Sequence, residues 1–459
     1  MAEPPAPETK AQPPAPPTRR PSAGCNNLHR SDSKTGLCWR SGAFAGQFGD
    51  VFIKDTNLEG GQVAPSIEYL THLCETIALA DRRSELTLFS DDDVFKVRII
   101  IEDLKKAANR DRVLDEIRAK RGDSSSLNNV IYADLLQTFV TTLSELAAGQ
   151  RVVISGGWSG ESGGHAIMHC VEREQNGTYA IVTFNTGDGT EFFCFLFFVA
   201  LSILFSHCSL FQSPTSTGNR YLFPSKIKKT TGSYYFLFIF LFFYFFSPSG
   251  VGYHPSKPGE SYPKTKQKCA MRFSNIAPER MLDPAAWYLF FNIKVTAKKE
   301  NRPSMIYDVF LPFLNDGPIG EAVDRDIETS GWWESIQLAG TCYYRCILCS
   351  FRYLLKADGF SQTQQKQLFV QIRASFLQKI KDELTTENGT SDFRSSDVRM
   401  INMGCSQTLY AAMKLAKREG INSKGMLRLE ALVNDVQALV DATPKLDSDK
   451  TELQVHVYY

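Results

Sequence analysis

Apolar residues recur three and four positions apart through SIEYLTHLCETIALADRR, DDDVFKVRIIIEDLKKAANRDRVLDEIRAKR and ADLLQTFVTTLSELAAG, a pattern that predicts helices over 66–148. At Arg151 the period shortens to that of strands. RVVISGGW, HAIMHCVERE and YAIVTFNT read as three of them, the last two joined through Gln175-Asn176-Gly177-Thr178. With Asn176-Gly177 as a two-residue turn, His165 falls opposite Asp188, and Asn185 points to the other face; a bulge would reverse that assignment. Further on, CAMRFSNIAPERM and AWYLFFNIKVTAKKE read as strand-rich, and MIYDVFLPFLND leads into a loop rich in glycine and acid. Tyr343, Cys346, Ile347, Phe351, Leu354 and Leu355 then suit a buried helix over 342–356, ended near Gly359. QTQQKQLFVQIRASFLQKIKDEL, SQTLYAAMKLAKREG and KGMLRLEALVNDVQALVDA predict amphipathic helices to follow.

The resulting class is α+β. A Pro-rich disordered arm is expected over 1–35, a mostly helical lobe over 36–150, a mixed core over 151–358 and a helical extension over 359–459.

The stretch 190–250 does not fit this plan. It holds 15 of the 32 phenylalanines and a single acidic residue, Glu191. Its apolar runs, over 192–205 and 234–246, fall short of the roughly 18–20 residues that cross a bilayer. Phe, Leu, Ile, Tyr and Ser are also what a U-rich tract encodes, and removing the segment joins NTGDG to VGYHPSKPGE as one polar loop. A retained intron or a mis-drawn gene model is the expectation; a membrane element is the alternative, and membrane association follows only if the segment is genuine.

Charge then narrows the function classes. Lys plus Arg is 51 against 50 for Asp plus Glu, so no broad basic field exists to hold nucleic acid. Eleven cysteines in a chain of this size point to a reducing compartment, cytoplasmic or nuclear. No apolar run follows the initiator, so no secretory leader is expected, and the sequons at Asn176 and Asn388 are expected to stay idle.

Two places combine residue types suited to catalysis. In SGGWSGESGGH five glycines let the backbone approach closely and leave His165 at the mouth of a strand, with Asp188 or Asn185 to orient it. In QLAGTC, Cys342 opens a helix, where unpaired N–H groups lower a thiol's pKa, and Gln337 is placed to donate to an oxyanion. Cys346 and Cys349 are assigned to packing, His169 and His254 are the rivals of His165, and no cofactor or metal is expected. The C-x3-C-x2-C spacing of Cys342, Cys346 and Cys349 sits in an apolar helix, unlike the loops that hold iron–sulfur clusters.

A Gly-rich approach to a His, an amide or acid about twenty residues on, then a Gln shortly before a Cys that opens a helix, resembles papain-fold cysteine peptidases in permuted order, the adenovirus-protease and ubiquitin-like-protease groups. That resemblance implies an antiparallel sheet with a central Cys-bearing helix. It also implies Cys342 as nucleophile, His165 as base, Asp188 or Asn185 as orienting group, and Gln337 as oxyanion donor. The expected activity is thiol-dependent hydrolysis of amide or isopeptide bonds, with ubiquitin or a ubiquitin-like protein as substrate. Gly156, Gly157, Trp158, Gly163, Gly164, Trp332 and Trp333 are expected to line the channel for its Gly-Gly tail. An acyltransferase using the same Cys–His pair and a non-catalytic scaffold are the rival classes.

Overall fold

The computed structural model describes residues 37–48, 63–80, 89–120, 126–160, 163–187, 266–296, 303–318, 329, 332–335, 341–386, 393–418 and 423–445. The Pro-rich arm and the 190–250 segment lie outside them, as do Asp188, His254 and Gln337.

A short helix α1 (Gly42–Phe48) precedes the helices expected over 66–148, which form as α2 (Val63–Ala80), α3 (Asp91–Ala119) and α4 (Ser126–Ser144). Ser90 starts α3 with a reciprocal capping box: its side chain accepts the Asp93 N–H, and the Asp93 carboxylate accepts the Ser90 N–H. Next come β1 (Arg151–Gly160), β2 (Gly163–Arg173), β3 (Tyr179–Phe184), β4 (Lys266–Lys268) and β5 (Ala270–Ile276). The antiparallel sheet runs β1-β2-β3-β5, and β4 pairs with β6 (Trp333–Ser335) in a two-stranded ribbon.

Strand alternation divides the interior into two cores. Val153, Met168, Cys170, Val182, Phe184 and Ala270 pack on one side against α8 (Cys342–Ala357). Val152, Ile154, Ile167, Ile181 and Phe273 pack on the other against α4 and α6 (Pro284–Val295), which follows the short α5 (Pro278–Met281). The long α3 serves both, giving Ile100, Ile101 and Leu104 to the first core, then Leu114 and Ile117 to the second. A π-helical turn over Met305–Phe310 continues into α7 (Leu311–Asn315). Behind α8 lie α9 (Gln362–Leu384), α10 (Ser395–Ala416) and α11 (Ser423–Ala442), so α8 is buried on almost every side. Among the described residues no helix is long and apolar enough to cross a membrane.

Two expectations are corrected. AWYLFFNIKV is helix α6 instead of strand. The Asp283 carboxylate accepts the Ala285 N–H at 2.8 Å and Pro284 occupies the first turn, two helix-start signals that outweigh the β-propensity of the aromatics. Those rings bury along a helical stripe of Trp287, Phe290 and Phe291. The β2–β3 turn has three residues instead of two: Gly177 takes φ +85°, its N–H donates to the Glu174 carbonyl at 3.0 Å, and the Glu174 N–H donates to the Thr178 carbonyl. Thr178 donates to the Asn176 side chain in support. The register therefore slips by one, setting His169 opposite Thr183 and Met168 opposite Phe184.

Candidate active site

That one-residue slip decides which side chain meets His165, because it moves every β3 side chain to the other face. Asn185 comes onto the imidazole's side, and its Oδ1 lies 2.8 Å from His165 Nε2. The placement of Asn185 on the opposite face is thus corrected. Both residues are buried.

The direction of this hydrogen bond follows from its neighbours. The Gly187 N–H, which can only donate, reaches Asn185 Oδ1 at 3.1 Å, and Asn185 Nδ2 donates to the Tyr307 hydroxyl at 3.0 Å. The carboxamide is therefore oriented with its oxygen toward the ring, so Nε2 must carry the hydrogen. Nδ1 is left as the basic nitrogen. Trp158, directly paired with His165 across β1 and β2, lies over the ring at 4.7 Å between centroids and 31° between planes. Tyr307 was not recognisable in the sequence, since MIYDVF carries no motif.

The glycines of β1 have local causes. Gly157 holds φ +119°, and a Cβ there would meet the His165 carbonyl oxygen at 1.9 Å. At Gly156 the same atom would strike His169 Nε2 and the Phe290 ring. Neighbours thus fill the space beside both residues, whereas Gly164 is exposed. Trp332 is buried against α8, with Arg352 and Lys356 over its ring; Gly163 and Trp333 belong to β2 and β6.

His169, the rival base, is fully buried, with Nδ1 3.0 Å from Thr183 Oγ1 and its ring edge-on to Phe290. Burial first, and the nearby Lys294 charge second, hold its pKa down to about 3, so it stays neutral. The unfolded chain takes up a proton near pH 6.5 and the folded one does not, so stability is lost as pH falls from 6.5 toward 3. Between pH 6.5 and 4.5 wild type is expected to lose about 2–3 kcal/mol more than His169→Gln, measured by urea unfolding. Glu383, raised to about 7 by burial, contributes the opposite slope in both proteins and cancels in the comparison. Parallel curves would contradict the assignment.

Cys342 is the first residue of α8 and is buried. Thr341 supplies no side-chain cap to the helix, and the first turn holds no acid to offset its positive end. The direction of α8 is fixed by three contacts. Asp358 accepts both guanidinium nitrogens of Arg151, at the start of β1. One turn back, the Tyr353 hydroxyl accepts from Arg272. Cys349 then lies 3.4 Å, sulfur to sulfur, from Cys269, whose carbonyl takes the Asn185 N–H. Cys342 stands two turns further along the same helix axis. The imidazole and carboxamide sit with Trp158 and Tyr307 of the second core, whereas α8 covers the first. Any thiol–imidazole pair therefore forms around the end of the sheet, not across its face.

The other α8 thiols belong to packing. Burial first, and Cys342 second, push the Cys346 thiol well up, and its hydrogen goes to the Tyr343 carbonyl. Among the described residues no three His, Cys, Asp or Glu side chains gather as metal ligands would. No protein family, curated protein or solved structure matches the chain.

Proposed function

We propose that this protein is a thiol-dependent hydrolase of amide or isopeptide bonds, with a papain-like pairing of α8 and the antiparallel sheet. The observation that carries the reading is the oriented dyad: Asn185 holds the His165 Nε2–H, so Nδ1 presents its lone pair as a base. Cys342, the first residue of the buried helix, is the nucleophile. In the proposed reaction Nδ1 takes the thiol proton, the sulfur attacks the carbonyl carbon, and N–H groups at the tip of α8, together with Gln337, receive the oxyanion. The imidazolium then returns the proton to the leaving amine, and water cleaves the thioester. Asn185 acts as the positioning residue, a role the sequence also offered to Asp188.

Ubiquitin or a ubiquitin-like protein is the proposed substrate, on the pattern of Cys, His, amide and Gln described above. The proposed setting is reducing, cytoplasmic or nuclear; the eight cysteines among the described residues are all free and buried. Ubiquitin bearing an electrophilic C-terminus tests the reading. A covalent adduct mapped by mass spectrometry to Cys342 is the expected result. No adduct from a folded protein, or an adduct on another cysteine, overturns it, and the first outcome favours a scaffold. An adduct accompanied by acyl transfer to an added amine in preference to water would make the enzyme a transferase.

A further inference from the structure

A concavity lies where α8 meets α9 and α10, with Thr186 and Glu334 at its sheet side. Three helices turn one face each into a cavity of about 620 Å³, floored by Gly46, Gln47 and Phe48 of α1. Its cations come in register: Arg345 and Arg352 on α8, Lys366 and Arg373 on α9, and Lys414 with Arg418 at the end of α10, spaced seven, seven and four residues apart. Among the described residues one carboxylate, Glu334, lines it, and that group is engaged with Arg352 at 3.3 Å. Among the described residues Lys366, Lys414 and Arg418 form no ion pair.

The electrostatics of the empty fold are unfavourable here. Burial first, then Arg418, Lys414 and Arg352, hold the Lys366 ammonium below its usual pKa. Burial likewise lowers Arg373, whose Nε is enclosed without a hydrogen-bond partner, although its terminal nitrogens reach the Gln47 and Gln407 carbonyls at 3.4 and 3.5 Å. A fold that gathers like charges in a recess and leaves a donor unsatisfied is complementary to an anion.

We propose that this recess is a binding site for a compact small molecule carrying several phosphate groups. The volume falls within the range of about 300–1,000 Å³ usual for small ligands. The whole chain is close to neutral, which argues against a nucleic-acid strand. Guanidinium forks grip phosphate oxygens in pairs, the side-chain amides of Gln362 and Gln407 add neutral donors, and among the described residues Lys366, Arg373, Lys414 and Arg418 face the cavity with no carboxylate besides the Glu334 that Arg352 already engages.

The probe is inorganic tripolyphosphate, added to the full chain and followed by calorimetry and thermal unfolding, with sulfate at equal ionic strength as control. Expected are saturable binding, a rise in Tm of about 5 °C at a hundredfold excess over Kd, and weakening with salt. Lys414→Ala and Arg418→Ala, at the end of α10, are each expected to weaken binding about tenfold while leaving the Tm of the free protein within about 2 °C. The proposal is overturned if tripolyphosphate stabilises no more than sulfate does, if both variants bind it as wild type does, or if an acidic peptide competes more strongly than tripolyphosphate. The readout is binding alone, so the result is independent of whether Cys342 hydrolyses anything.

Discussion

Replacing Cys342 with alanine is expected to lower kcat/KM by about 10⁴-fold on ubiquitin carrying a fluorogenic C-terminal amide, close to 5.5 kcal/mol of transition-state stabilisation. The sulfur supplies the bond that divides one difficult displacement into two easier ones. His165→Ala is expected to cost nearly as much. Base and nucleophile act as a unit, so the double variant should be little worse than either single one. Asn185→Ala should cost less, about 10²-fold, because it removes the group that fixes the tautomer and not a reacting group. It should also alter the pH profile of kcat/KM, which a purely structural role would not do. Circular dichroism and Tm must stay near wild type throughout for these losses to count as chemistry. Full activity in folded Cys342→Ala would end the thiol-hydrolase reading. Additive losses from Cys342 and His165 would end the claim that they work together.

The elements around this site were legible in the sequence to different degrees, for physical reasons. Helices with a polar face were plain, because a 3.6-residue period in DDDVFKVRIIIEDLKKAANRDRVLDEIRA has no other use. Helix α6 was not, since PAAWYLFFNIKV is apolar nearly all round and periodicity cannot separate a buried helix from a strand; only Asp283-Pro284 marked it. The hairpin was evident from Asn176-Gly177, but not its loop length. A two-residue turn and a three-residue turn with glycine at φ +85° share the same dipeptide, and the difference determines which of Asp188 and Asn185 can face His165. Tyr307 was invisible because its role depends on a contact 122 residues away in the chain. The cations of the α8–α10 recess were readable as stripes on single helices, Lys366 with Arg373 and Lys414 with Arg418. A stripe alone is normally a solvated face, and only the packing of three helices turns these inward.

The second large effect is expected far from any reacting atom, at a carboxylate that joins four elements. Asp111 of α3 is almost wholly buried; its Oδ1 accepts from Ser155 Oγ at 2.6 Å and from Lys294 Nζ, and its Oδ2 accepts the Ala64 N–H at 3.1 Å at the start of α2. Lys294, on α6, also donates to Ser155 Oγ at 2.7 Å. Lys294→Met keeps the stem's length and removes the charge, leaving a carboxylate without its ion partner where water cannot follow. The expected loss is about 3–5 kcal/mol in urea unfolding, and Asp111→Ala should lose a similar amount by stranding the ammonium. The double variant Asp111→Leu/Lys294→Met is expected to regain much of either loss, because an apolar pair of similar volume carries no desolvation cost. Lys294→Met should also let the His169 pKa rise from about 3, since that ammonium is the second cause of its depression. Single losses below about 1 kcal/mol, or a double variant no better than the sum of the singles, would show that the four elements are held by apolar packing alone and that the buried ion pair contributes nothing specific. The same measurement bears on the active site. Ser159 Oγ of β1 donates to the Lys294 carbonyl at 2.7 Å, next in sequence to Trp158, whose ring lies over His165, so loosening α6 here should lower activity through the imidazole's orientation before the fold is lost.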